Sequence, residues 1–191
     1  MSLLGIDVGG SGCKAIAYSK EGERLAKSNR SYSYVLKSEH ESEFDLKEIW
    51  ENIKKVIKET SQKVKKIGDP IEALCFSVFG EAAVLLDKDL NPLTDVFTSF
   101  DHRGYEFLDK IAVDLNPIEM YSKTGQPLDF LYPPIKLMWL KKYKEDLYKK
   151  AHKFLGVQEY LLLKLGGDPI TEPSLACRYL IFDINNKDWV E

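Results

Sequence analysis

The opening eighteen residues constrain this chain more than any other stretch. Leu3-Leu4-Gly5-Ile6-Asp7-Val8 is an apolar run with a carboxylate near its end, Gly9-Gly10-Ser11-Gly12 follows, and Cys13-Lys14-Ala15-Ile16-Ala17-Tyr18 resumes the alternation. Period-two patterning on both sides of a glycine cluster predicts a strand, a tight turn and a second strand. Glycines let the backbone turn sharply and bring its N–H groups close to an anion. A carboxylate at a strand end suits Mg²⁺, an ion that keeps several waters and takes few protein ligands. With one hydroxyl and one Lys, these are the parts of a nucleotide phosphate site. The spacing gives neither G-x-x-x-x-G-K-[ST] nor G-x-G-x-x-G, and a strand rather than a helix follows the turn. An ordinary β-hairpin with a glycine-rich turn fits the same letters.

The chain has 191 residues, enough for one sizeable domain and too few for two of full size. Its 44% hydrophobic and 30% charged content is that of an ordinary globular protein. A net charge of −3 leaves no electrostatic footprint for nucleic acid. No apolar run is long enough for a spanning helix or a signal-peptide core, so no membrane partner is expected. Cys13, Cys75 and Cys177 are odd in number and in no metal spacing, and they read as reduced thiols of a cytoplasmic protein. His40, His102 and His152 are equally scattered, which argues against zinc.

Three strands are expected over residues 3–34, and the polar residues 35–44 read as an exposed loop. Asp45 and Glu48 have capping-box spacing at the start of the clearest helix. Leu46, Ile49, Trp50, Ile53, Val56, Ile57, Thr60, Val64 and Ile67 form its apolar stripe, Lys residues its solvated face, and Gly68 and Pro70 its stop. A buried strand is expected at 71–78 and a short one at 82–86, with a turn over 87–92. Helices are expected over 103–123 with a break near Pro117, over 134–150, over 157–165 and over 173–180, with a short apolar run at 152–155. Strand, strand, strand, helix, strand with helical insertions is an α/β fold with a mixed sheet. After the crossover helix, the strand at 71–78 should lie parallel to the first strand and beside it. The carboxyl ends of both strands, with the turns at 7–11 and 79–81, then share the edge where open α/β sheets bind ligands.

Further segments sharpen this reading. They are Ser77-Val78-Phe79-Gly80-Glu81 with Val84-Leu85-Leu86-Asp87; Ser99-Phe100-Asp101-His102-Arg103; Thr124-Gly125-Gln126-Pro127 running to Tyr132-Pro133-Pro134-Ile135-Lys136-Leu137-Met138-Trp139-Leu140; and Glu159-Tyr160-Leu161 through Thr171-Glu172-Pro173-Ser174-Leu175-Ala176 to Asp183 and Trp189. In this order they resemble the N-terminal half of the FGGY carbohydrate kinases, which include xylulokinase, gluconokinase and glycerol kinase. The resemblance covers essentially the whole chain and leans toward gluconokinase- or xylulokinase-like members. It implies an actin-like ATPase (ribonuclease H-like) fold and an ATP-dependent transfer of phosphate to a sugar, sugar acid or polyol. It also implies that Asp7 helps hold Mg²⁺, that Gly9, Gly10 and Ser11 face the phosphates of ATP, and that Lys14 lies near them. By the same resemblance Glu81, Asp101, Arg103 and Tyr132 belong to the sugar pocket.

Simpler roles stay open for several of these. Arg103 could cap a helix or pair with Asp101, and Glu81 could be an exposed turn residue. Trp139 and Trp189 read as core side chains rather than sugar-stacking platforms, and Lys136 resembles a family Lys of structural role. Phe100 stands where the family usually has Trp, and Glu172 where Asp is common. The family's general-base Asp follows a P-V-x-x-G-x-x-D segment that does not occur here, so the resemblance places that Asp beyond Glu191 and no catalytic residue within the chain. It thus implies that residues 1–191 are an incomplete N-terminal sugar-binding domain, inactive without a C-terminal kinase half. An unpaired edge on the strand at 71–78 would favour self-association. A non-catalytic sugar-binding or regulatory module, or another actin-like ATPase, would share the same first eighteen residues.

Overall fold

A computed structural model describes residues 1–190 of the chain. Glu191, the residue beyond which the general base is expected, lies outside the described residues. Two compact units divide the chain: Met1–Tyr34 with Phe44–Phe79, and Val35–Glu43 with the residues from Gly80 onward.

In the first unit, strands β1 (Ser2–Gly9), β2 (Gly12–Ser19) and β3 (Arg24–Ser31) form an antiparallel meander. The short strands β4 (Val35–Leu36) and β5 (Ser42–Phe44) precede helix α1 (Leu46–Lys66), which crosses over to β6 (Ile71–Val78). The sheet runs β3-β2-β1-β6, with β6 parallel to β1, so it is mixed as expected. Alternation sets the layers. Leu4, Ile6 and Val8 of β1 and Cys13, Ala15 and Ala17 of β2 are buried, while Leu3, Gly5 and Asp7 face outward. Helix α1 covers this apolar face with Leu46, Ile49, Ile53, Val56 and Val64. Its start is fixed by the Asp45 carboxylate, which accepts from the Glu48 N–H at 2.8 Å.

Two expectations fail in this unit. Ile67 lies past the last helical turn and is exposed, because Gly68 adopts a left-handed φ of 78° there. The strand at 71–78 is not buried. As the last strand of the sheet it pairs on one side only, and α1 packs chiefly on β2 and β3, so Glu72, Ala73, Leu74 and Cys75 are exposed.

The second unit holds a five-stranded sheet of order β4-β5-β8-β7-β9, where β7 is Ala83–Leu86, β8 Val96–Phe97 and β9 Lys153–Gly156. Around it lie α2 (Leu108–Asp114), α3 (Pro117–Thr124), α4 (Pro133–Tyr143), α5 (Glu145–Lys150), α6 (Val157–Lys164) and α7 (Pro173–Ala176). A small hairpin, β10 (Phe182–Asp183) with β11 (Asp188–Trp189), ends the described chain. Leu85, Phe97 and Leu140 form a core cluster against which Trp139 and Phe154 pack.

Residues 35–44 are corrected from an exposed loop to the strand pair β4–β5, with Ser42, Glu43 and Phe44 buried. Their polar groups are matched inside: the Ser42 N–H donates to Asp101 Oδ2 at 2.8 Å, and Glu43 meets Arg103. Trp139 is partly buried in the core, whereas Trp189 stays 46% exposed and leans its ring edge-on against Phe182 and Tyr179. Trp189 is therefore not the core residue expected, since the two-stranded hairpin that carries it offers little surface to cover an indole.

Candidate functional site

The glycine turn sits at the carboxyl end of β1. The register sets Asp7 opposite Lys14 and Gly9 opposite Gly12, and the Lys14 ammonium lies 3.2 Å from the exposed Asp7 carboxylate. Gly12 has φ 155°, and a Cβ there would come within 2.3 Å of the Arg30 carbonyl oxygen, so only glycine fits. The loop is braced from within the unit. Tyr32 Oη donates to the Gly9 carbonyl at 2.6 Å, and the Tyr32 N–H donates to the Ser11 carbonyl at 3.3 Å. Burial pushes the Tyr32 phenol well above its ordinary range, so it stays a donor. The Phe44 ring lies beneath Gly10, edge-on to Tyr32 and stacked on Phe79 at 5.6 Å. Asp7, Gly10 and Ser11 are left exposed over a fixed backbone. No cluster of metal-ligating side chains occurs among the described residues. A single half-exposed carboxylate beside a glycine turn fits an ion held mainly by water and phosphate oxygens.

Asp101 and Arg103 belong to a sealed ionic cluster in the second unit. The Asp101 carboxylate is fully buried and accepts from the Ser42 N–H, the Arg103 N–H at 3.0 Å, Arg103 Nε at 2.9 Å and Arg103 Nη2 at 2.6 Å. Arg103 Nη2 also donates to Glu43 Oε1 at 2.8 Å, and its guanidinium lies 4.5 Å from the Phe97 ring centre and 5.3 Å from that of Trp139. Lys136, also buried, donates its ammonium to the carbonyls of Asp101, Arg103 (3.1 Å) and Phe130 (2.9 Å). Burial pulls the Lys136 ammonium down to about 8, against the pull of Asp101. Gly104 closes the turn at φ 88°, where a Cβ would meet the Ile135 carbonyl at 2.6 Å. The pairing of Arg103 with Asp101 and the structural role of Lys136 are thus both present, and Phe100 next to them is 45% exposed.

Glu81 and Tyr132 meet in a second, open cluster. Arg178 Nη1 donates to Glu81 Oε1 at 2.6 Å and to Gln126 Oε1 at 3.3 Å, and Tyr132 Oη donates to the same Gln126 oxygen at 2.8 Å. Burial raises the Tyr132 phenol above its ordinary value. The Gln126 side-chain amide is aimed at Cys177 Sγ, 3.5 Å away, and its backbone N–H donates to Thr124 Oγ1. Glu172 caps α7 with both carboxylate oxygens, accepting from Ser174 and Leu175 N–H, so the longer side chain still performs the turn's capping role. In the sequence Gln126 stands only as a member of the Thr124-Gly125-Gln126-Pro127 segment, and Arg178 carries no site role. The available signal was Arg178 itself, the one charge in Leu175-Ala176-Cys177-Arg178-Tyr179-Leu180-Ile181-Phe182, where a cation needs a partner.

Comparison with known proteins gives concordant results. The chain is 28% identical over 190 residues to a gluconokinase of Bacillus subtilis, covering 99% of this chain and 36% of that protein. It is 27% identical to a xylulose kinase of Staphylococcus xylosus, covering 98% of this chain and 38% of the relative. Among solved structures, gluconate kinase from Lactobacillus acidophilus matches with a TM-score of 0.89 at 26% identity, over 98% of this chain and 38% of that one. Ligand-bound xylulose kinase from the same organism matches with a TM-score of 0.90 at 25% identity, over 100% of this chain and 38% of that one. The chain therefore spans little more than a third of the length of these relatives, and its α/β architecture with a mixed sheet is that of the actin-like ATPase fold. Because the profile of the FGGY family of carbohydrate kinases, N-terminal domain, matches residues 2–191, this chain belongs to that family.

Proposed function

We propose that this chain is the N-terminal, sugar-binding part of an ATP-dependent kinase that transfers the γ-phosphate of ATP to a hydroxyl of a sugar, sugar acid or polyol. The observation that carries the reading is the Glu81–Arg178–Gln126–Tyr132 cluster, a carboxylate, a guanidinium, an amide and a phenol converging at a half-open position. A sugar hydroxyl can donate to the Glu81 carboxylate, which the guanidinium, amide and phenol around it hold in a fixed geometry. Asp101 and Arg103 act in this reading by locking the segment that displays the exposed Phe100 ring. Phosphoryl transfer requires mainly positioning and charge stabilisation. Gly9, Gly10, Ser11 and Lys14 meet the phosphates. Asp7 would hold Mg²⁺ through water, and that ion would supply charge neutralisation at the phosphate oxygens.

The general base, expected beyond Glu191, and the rest of the nucleotide site come in this proposal from a C-terminal kinase half. The test is phosphate transfer from labelled ATP to gluconate, xylulose or glycerol, by the chain alone and with such a half added. Transfer only in the combined sample is the expected result. Sugar binding with no transfer in either sample would make the chain a binding module, and ATP hydrolysis indifferent to sugar would make it another kind of actin-like ATPase. Self-association through β6 is part of the same reading, since an edge strand presents unpaired N–H and C=O groups. A monodisperse monomer in sedimentation at high concentration would count against that part.

A further inference from the structure

We propose that Arg178 is the positioning residue of the sugar site, setting the Glu81 carboxylate for a ligand hydroxyl without touching the ligand itself. This rests on the sugar-kinase reading above. One nitrogen, Nη1, ties Glu81 Oε1 at 2.6 Å and Gln126 Oε1 at 3.3 Å, so a single group aligns two side chains from distant parts of the chain. Tyr132 occupies the same Gln126 oxygen, which turns the Gln126 amide toward Cys177 and removes that oxygen from the ligand's reach. What remains to receive a ligand hydroxyl is Glu81 Oε2, to which no described residue donates, on a carboxylate whose other oxygen is pinned.

The arrangement is built for Arg in particular. Gly80, just before Glu81, has no Cβ, and one placed there would lie 3.2 Å from Arg178 Cγ and 3.4 Å from Leu175 Cδ2. The aliphatic stem of Arg178 thus rests on the backbone that carries Glu81, and its root lies in the 3-10 turn Cys177–Tyr179 directly after α7. The planar, rigid guanidinium head holds Nη1 at both acceptors, whereas a Lys ammonium would have to reach them from a flexible stem. Glu81 neutralises the Arg178 charge, so the pair orients a hydroxyl rather than attracting an anion.

The test titrates the chain with gluconate, xylulose and glycerol, following binding by calorimetry and by ligand-observed NMR. Wild type, Glu81→Gln, Arg178→Gln, Arg178→Lys and the double variant Glu81→Gln/Arg178→Gln are compared, with circular dichroism melts to confirm folding. Loss of a hydrogen bond to a charged group predicts roughly 10- to 100-fold weaker binding in Arg178→Gln. Arg178→Lys should recover most of this, ending within about tenfold of wild type. The double variant should bind no more weakly than Glu81→Gln alone, because Arg178 acts only through Glu81. Wild-type affinity in a folded Arg178→Gln chain, or losses that multiply in the double variant, would overturn the proposal. If Arg178→Gln does not fold, Arg178→Lys with and without Glu81→Gln decides by the same coupling. Failure of all three probes to bind wild type would remove the sugar reading itself, and the positioning role with it.

Discussion

The second unit contains two ionic clusters made of similar residues and saturated to different degrees. Asp101, Arg103, Glu43 and Lys136 are sealed, and every charge there is met by protein. Glu81, Arg178, Gln126 and Tyr132 are joined by fewer bonds, and the Arg178 side chain is 36% exposed. Both contain residues that family resemblance assigns to a sugar pocket. The two clusters differ not in residue type but in the number of unspent hydrogen-bonding groups. A saturated cluster fixes a loop, and an unsaturated one can accept a ligand.

The largest test of this contrast is Arg103→Ala. It strips the buried Asp101 and Glu43 carboxylates of the guanidinium they share, leaving only Lys136 near the first and Lys37 on the second, and should lower unfolding free energy by about 3–5 kcal/mol in urea titration. Arg178→Ala should lower it by at most about 1 kcal/mol, because its pair is partly in water. Equal losses would erase the distinction between the clusters. Next, Lys136 gives the sealed cluster a pH signature. Its folded value of about 8 lies below the ordinary 10.5, so between these pH values the unfolded chain binds more protons. Stability relative to Lys136→Met should therefore rise with pH in that window, by at most about 1.4 kcal/mol per unit. A flat difference would mean that the carbonyl cage keeps the amine charged.

Gly12→Ala comes third, with an expected loss of about 1–3 kcal/mol in thermal unfolding from the strained turn. Fourth, Glu81→Gln should move stability by under about 1 kcal/mol while weakening sugar binding at least about tenfold. Asp7→Ala is the smallest perturbation of the fold, within about 0.5 kcal/mol, since its carboxylate is exposed. In the assembled kinase the same change should collapse kcat, and an unaltered kcat would remove Asp7 from the metal site.

Local signals in the sequence were sufficient for much of this. Asp45 with Glu48 wrote the start of α1, and the alternation around Gly9-Gly10-Ser11-Gly12 wrote β1 and β2 in register. Glu43 shows where that reading stops. It is a charged residue in a polar run, and its burial depends on Arg103, sixty positions away, which meets one carboxylate oxygen while Lys37 meets the other. The apolar letters of β6 misled in the opposite sense, since an edge strand carries them without being covered. The open cluster was partly legible: Glu81, Gln126 and Tyr132 stand in recognisable motifs, while the link that Arg178 makes between them is visible only in the distances.

The split of the first unit by residues 35–43 has a consequence for how this protein can be cut. The chain passes between the units at 34/35, at 43/44 and again at 79/80. A fragment beginning at Gly80 would retain the helices of the second unit but lose β4 and β5. It would thereby deprive β8 of one of its two neighbours, Arg103 of Glu43 and Asp101 of the Ser42 N–H. No single proteolytic nick or gene truncation separates the units intact. Modular shuffling of either one requires grafting the excursion over residues 35–43 as well.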